Sequence, residues 1–113
     1  MGISTHILDT SLGKPASGVP VHLERRAAQG TWQPIASEVT DSDGRCKDLV
    51  PPGTPVSTGV YRIRFDTERY YSRHQVDGLY PEIVVAFAVR NAGAHYHIPL
   101  LLSPNSYTTY RGS

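Results

Sequence analysis

The sequence predicts an all-β sandwich. Short runs in which apolar and polar residues alternate recur along the chain. Clusters of Gly, Pro, Ser, Asn and Asp separate these runs. Their spacing suits two packed sheets rather than strands alternating with helices.

In chain order, Ile3 to Leu8 alternates and is compatible with a strand. Ser11 to Gly18 is a turn-rich loop. Val19, Val21 and Leu23 share one side of the next run and Pro20, His22 and Glu24 the other, the mark of a half-buried strand. Arg25 to Gly30 reads as a hairpin connection, and Thr31 to Val39 as the following strand, with Trp32 as its large apolar anchor. Thr40-Asp41-Ser42-Asp43-Gly44 is a turn in which Gly44 suits a positive φ. Pro51 to Pro55 is a loop, and Gly59 to Phe65 alternates again. Asp66 to His74 differs in kind. Asp66 is a good N-cap and Arg69 and Arg73 fall one helical turn apart, so one short helix is expected. Ile83 to Val89 is a nearly continuous apolar strand. His95 to Leu102 is another, and Ser106 to Gly112 is the last, joined to it by Ser103-Pro104-Asn105.

The 113 residues are expected to form a single domain, 1–113, with enough apolar sequence to bury a core without covalent staples. The net charge of +1, with acids and bases mixed, gives no electrostatic footprint for nucleic acid and no polybasic membrane patch. No apolar run approaches membrane-spanning length. One cysteine, Cys46, excludes an intramolecular disulfide and fits a reducing compartment. The segment from Met1 to His6 lacks the basic and apolar regions of a signal peptide, so a soluble, cytoplasmic domain is expected.

Chemistry is expected near the end of the sequence. The stretch from His95 stays patterned and aromatic through Tyr110-Arg111-Gly112-Ser113, where chain ends usually become polar and forgiving. It carries an arginine, a hydroxyl and, as the sequence stands, a free carboxylate. Residues two apart in a strand share a face. His95, His97, Pro99 and Leu101 therefore form one set, Thr108, Tyr110 and Gly112 another, and His6 and Leu8 a third. If these strands are neighbours, His6, His97 and Tyr110 can line one surface with Arg111 at its edge. His-x-His puts two imidazoles on one strand face and His6 could add a third, a pattern that weakly suggests metal. Arg45 and Arg111 would repel a cation, and no carboxylate or cysteine cluster joins the imidazoles, so no metal is expected. His22 and His74 read as ordinary surface or core histidines. Cys46 reads as a small buried apolar residue, since no base or partner thiol is evident near it. Ser113 lacks the Gly-x-Ser-x-Gly context of a serine nucleophile.

Three segments carry a resemblance that spans the whole chain. They are Ser4-Thr5-His6-Ile7-Leu8-Asp9-Thr10 with Gly13-Lys14-Pro15-Ala16, the turn Thr40 to Arg45, and the stretch from His95 to Pro104 that ends in Tyr107 to Ser113. With these segments the chain resembles the 5-hydroxyisourate hydrolases, the purine-degrading branch of the transthyretin-like proteins. Transthyretin, the hormone carrier, is similar in scaffold but lacks the Tyr-Arg-Gly-Ser ending and the histidines that match His6 and His97.

The resemblance implies two four-stranded sheets with one short helix. It implies a homotetramer, a dimer of dimers, whose central channel is lined by the first and the last two strands. It implies hydrolysis of 5-hydroxyisourate to 2-oxo-4-hydroxy-4-carboxy-5-ureidoimidazoline in urate degradation, without a cofactor. Catalysis would fall on His6, Arg45 and His97, and substrate binding on Tyr110, Arg111, Gly112 and Ser113. Arg45 enters through the resemblance alone; its place in a turn reads otherwise as a solvated arginine. Water would be activated by a histidine, and which of the two acts as base stays open. An arginine would stabilise the oxyanion. The alternative is a non-enzymatic carrier of a small aromatic ligand in the same channel.

Overall fold

The computed structural model describes residues 2–113. The elements follow the order β1 (Gly2–Asp9), β2 (Lys14–Pro15), β3 (Pro20–Arg26), β4 (Trp32–Val39), β5 (Arg45–Cys46), β6 (Gly59–Phe65), α1 (Thr67–Arg73), β7 (Ile83–Val89), β8 (His95–Ser103) and β9 (Ser106–Thr109). One sheet runs β2-β1-β8-β9 with β5 also paired to β1, and the other runs β4-β3-β6-β7. The expected two-sheet sandwich with one short helix is present. The first sheet has five strands rather than four, because the two-residue strands β2 and β5 both pair with β1.

Alternation builds the core. Val21 and Leu23 of β3, Ile63 and Phe65 of β6, Ile3 and Ile7 of β1, and Leu100 and Leu102 of β8 are all buried between the sheets. Burying aliphatic and aromatic side chains of this size stabilises by roughly 1.5–3 kcal/mol each. The helix starts where Asp66 accepts the Arg69 backbone N–H at 3.1 Å. Tyr70 and Tyr71 are its buried face, and the Tyr70 hydroxyl donates to Asp9 Oδ2 at 2.8 Å, tying the helix to the end of β1.

One boundary differs from the sequence expectation and matters for the site. The last strand stops at Thr109 instead of reaching Gly112. Thr109 pairs with Leu100, so the next pair would set Tyr110 against Pro99. Proline has no N–H, and the ladder ends there. The Thr109 hydroxyl donates to the Pro99 carbonyl at 2.8 Å, and the chain returns to β8 only where Gly112 N–H donates to His97 O at 2.8 Å.

Candidate active site

The candidate site stands on the outward face of the first sheet. β1 and β8 run parallel in a register that sets Ser4 opposite His97 and His6 opposite Pro99. Ile3 and Ile7 of β1 and Ile98 and Leu100 of β8 turn inward, so parity turns Ser4, His6, His95 and His97 outward.

Arg45 reaches this face through the turn before it. Asp41 Oδ1 accepts the backbone N–H of Asp43 at 2.9 Å and of Arg45 at 3.0 Å. These bonds, that of Arg45 first, hold the Asp41 carboxyl below the usual carboxylate range. Gly44 has φ +75°, and its carbonyl accepts the Ile7 N–H at 2.8 Å. A Cβ on Gly44 would stand 2.4 Å from the Ile7 carbonyl oxygen, so only glycine lets the turn press this closely on β1. The chain leaving the turn forms β5, which sets Arg45 opposite His6. Among the described residues Arg45 makes no ion pair.

The two histidines are held differently. His6 Nε2 lies 2.8 Å from the Asp43 carbonyl oxygen. A carbonyl only accepts, so His6 donates from Nε2 and keeps Nδ1 as its free nitrogen. His97 Nδ1 lies 2.7 Å from Ser4 Oγ, which leaves Nε2 unclaimed. His97 is half-buried, and its pKa is held below 6.5. Burial is the main cause; the charges of Arg45, His6 and His95 act in the same direction. His97 is therefore neutral at neutral pH, as a proton acceptor must be.

Ser113 completes the cluster. It lines a cavity of about 210 Å³ with Ser4, Thr5, Arg45, Lys47, His95 and His97. Gly112 brings it there. A Cβ on Gly112 would stand 2.5 Å from His97 Cδ2 and 3.1 Å from Pro99 Cγ, so the backbone lies flat against the imidazole. Tyr110 and Arg111 do not share this cavity within one chain. Past Thr109 the strand alternation no longer governs them, and both line a separate cavity of about 280 Å³ with Phe87 and Tyr96. The Arg111 guanidinium lies over the Tyr96 ring, 4.7 Å from its centroid. The common surface expected for His6, His97 and Tyr110 thus holds for the two histidines only.

Ser4 and Lys47 were not singled out from the sequence, and His95 was placed on the face of His97 without a role. Ser4 shares the parity of His6, and that signal was available. The remaining residues read as expected. His22 Nδ1 bonds to Ser37 Oγ, and His74 Nδ1 donates to the Tyr70 carbonyl. Cys46 is buried, and burial first, with the charges of Glu38 and Asp41, pushes its thiol up to about 11, which leaves it unreactive. Among the described residues no three His, Cys, Asp or Glu side chains are grouped to hold a metal ion. No helix among them is long and apolar enough to cross a membrane.

Comparison with known proteins gives the same scaffold twice. The chain is 42% identical over 112 residues to the 5-hydroxyisourate hydrolase of Mus musculus, covering 98% of this chain and 94% of that protein. It superimposes on the 5-hydroxyisourate hydrolase of Klebsiella pneumoniae with a TM-score of 0.86 at 33% identity, over 100% of both chains. It superimposes on sea bream transthyretin in complex with thyroxine with a TM-score of 0.90 at 35% identity, over 99% of this chain and 95% of that one. A sequence model of the HIUase/Transthyretin family matches residues 3–112, and the chain belongs to that family.

Proposed function

We propose that this chain is a hydrolase of 5-hydroxyisourate in urate degradation. Both branches of the family share the fold, so side chains must choose between them. One observation carries the choice: an imidazole with an unclaimed Nε2, its pKa held below the usual value by burial, shares a small cavity with an arginine that makes no ion pair among the described residues. A carrier of an apolar ligand gains nothing from placing titratable groups there. A hydrolase needs both.

In the proposed reaction His97 Nε2 takes a proton from water as the water oxygen bonds to a ring carbonyl carbon. The carbonyl electrons become an oxyanion, which Arg45 stabilises. The carbon–nitrogen bond of the ring then breaks, and the leaving nitrogen receives the proton from the imidazolium. Such positioned proton transfer contributes roughly 10²–10⁴ in rate. His6, oriented by the Asp43 carbonyl, is the second proton-transfer group. Gly112 and Ser113 contact the substrate. Tyr110 and Arg111 belong to the same binding set by anchoring that segment, Arg111 through Tyr96. No cofactor takes part in this scheme.

The proposal includes a homotetramer, a dimer of dimers, with the site in a central channel. What supports it is the exposed apolar surface at one side of the sandwich. β7 and β9 are sheet edges that line one cavity together, and Val84, Tyr107 and Tyr110 are exposed on or beside them. A closed channel would also exclude water and strengthen the hold of Arg45 on an oxyanion. The buried free thiol of Cys46 suits a reducing compartment, so cytoplasm is the proposed location.

The likeness to a thyroxine-bound transthyretin keeps a carrier as the second reading. Ultraviolet absorbance of freshly made 5-hydroxyisourate, with and without the protein, separates the two. Accelerated decay is expected. Unchanged decay together with tight thyroxine binding by calorimetry would replace the hydrolase with the carrier.

A further inference from the structure

Ser4 stands between two imidazoles. Its Oγ lies 2.7 Å from His97 Nδ1 and 2.8 Å from His95 Nε2. The residue is 6% exposed, so its hydroxyl is largely screened from bulk water. A hydroxyl has one proton and two lone pairs, so it can donate to only one of the two nitrogens, and at least one nitrogen must donate to it. Either both rings donate to Ser4, which leaves His97 protonated at Nδ1, or the chain of bonds runs in one of two directions. In the first, His97 Nδ1–H donates to Ser4 Oγ, and Ser4 O–H donates to His95 Nε2. His97 Nε2 then carries a lone pair. In the second, His95 Nε2–H donates to Ser4, and Ser4 donates to His97 Nδ1. His97 Nε2 then carries a hydrogen and cannot accept a proton from water.

Two features select the first direction. Arg45 and Lys47 line the cavity with His97, and positive charge favours a lone pair over an N–H on the nitrogen left free there. His95 is exposed, and an acid lies near its outer nitrogen. A Cβ on Gly2 would stand 3.6 Å from His95 Nδ1 and 3.5 Å from Asp48 Oδ1, so that nitrogen and a carboxylate oxygen approach the same point beside Gly2, which favours a hydrogen on Nδ1.

We infer that Ser4 and His95 are positioning residues that hold His97 in its Nδ1–H tautomer, so that Nε2 is the base. The hydrogen bond at one ring nitrogen sets the state of the other. The charged and titratable groups near this chain include His6 from β1, Arg45 from β5, Lys47 and Asp48 after it and, as the sequence stands, the terminal carboxylate of Ser113 in the same cavity. None of them hydrogen-bonds to Ser4.

The inference rests on the hydrolase reading for its kinetic arm and has a second arm that does not. Histidine ring ¹⁵N shifts of the wild-type protein at neutral pH are expected to show His97 protonated at Nδ1 and bare at Nε2. Ser4→Ala is expected to mix the two tautomers and to lower kcat on the order of tenfold, part of the 10²–10⁴ that a placed base contributes. KM should change little, and Ser4→Thr, which keeps the hydroxyl, should recover most of the loss. His95→Gln keeps an acceptor for the Ser4 hydroxyl and should keep the His97 tautomer, while His95→Leu, which has none, should mix the two tautomers. A purely structural role would not move the nitrogen shifts. His97 carrying its hydrogen on Nε2 in the wild type would overturn the inference. So would an unmixed His97 tautomer in His95→Leu, or wild-type kcat in Ser4→Ala. A wild-type protein that fails to hydrolyse 5-hydroxyisourate would sink the hydrolase reading, while the nitrogen shifts would still decide the tautomer. Should Ser4→Ala fail to fold, those shifts and His95→Leu carry the test.

Discussion

The outward faces of the two sheets use polar residues in opposite ways. On the second sheet Glu24, Arg62, Arg64 and Glu82 satisfy one another. Glu24 accepts from Arg62 Nε at 2.6 Å and Arg64 Nε at 3.2 Å, Arg64 donates to Glu82 at 3.1 Å, and the Arg62 guanidinium lies 4.3 Å from the Trp32 ring centroid. On the first sheet each polar group is held by one atom and left open at another. His6 is held at Nε2 and His97 at Nδ1, while Arg45 is fixed by its backbone with its guanidinium unpaired among the described residues. Both faces are well ordered by their contacts. Only the second has spent its hydrogen-bonding capacity on itself. A polar face half satisfied in this way is where a substrate can complete the set.

The comparison can be broken from the first sheet. Deleting Tyr110 to Ser113 should abolish turnover, because it removes Ser113 from the cavity and the Gly112 backbone from the His97 ring. β9 ends at Thr109, so circular dichroism should still report a folded sandwich. Hydrolysis at the normal rate by this truncated chain would place the site elsewhere. Arg45→Lys should follow, with turnover down on the order of tenfold or more, since an ammonium lacks the planar, two-pronged donor geometry of guanidinium. A lysine variant within about twofold of wild type would remove Arg45 as an oxyanion clamp.

The second sheet should answer in stability instead. Glu24→Gln leaves Arg62 without its acid and Arg64 with Glu82 alone, and should cost roughly 1–3 kcal/mol by chemical denaturation. The same carboxylate gives the pH dependence its sign. Burial pushes the Glu24 pKa up, but the hydrogen bonds and charges of Arg62 and Arg64 outweigh it and hold the group below 4.5. Its stabilisation is therefore present above about pH 4.5 and is lost as pH falls through the lower folded value. Stability of Glu24→Gln should fall less steeply with acid than that of the wild type. Parallel curves would show that the network contributes nothing there. The smallest effect is expected from EDTA, which should leave turnover unchanged. Loss of activity restored by zinc would instead make His95 and His97 metal ligands.

Much of this was legible in the sequence, for physical reasons that also mark where legibility ended. Strand alternation located β3 and β6 because one face of each is buried, and period two then fixes which side chains turn out; β7 was legible as a nearly continuous apolar run. Asp66 announced the helix because a capping carboxylate is a local device. His6 and His97 could be set on one surface once β1 and β8 were taken as neighbours. The same parity failed at Tyr110, because the ladder depends on a partner N–H that Pro99 does not have. The proline was visible, but its position opposite Tyr110 depends on register across β8 and β9, which composition does not encode. Arg45 was hidden for a similar reason. Its approach to β1 depends on Gly44 pressed against the Ile7 carbonyl, a contact between residues far apart in the chain. The bridge from Ser4 to two histidines arises only from the parallel register of β1 with β8.

The account's central claim is that turnover depends on the half-satisfied face and not on the satisfied one. The direct test is a side-by-side absorbance assay of freshly made 5-hydroxyisourate with wild type, His97→Gln and Glu24→Gln, each confirmed as folded. The account predicts a loss of about 10²-fold or more for His97→Gln and a rate within about twofold of wild type for Glu24→Gln. Equal rates in all three proteins, or a loss confined to Glu24→Gln, would contradict it.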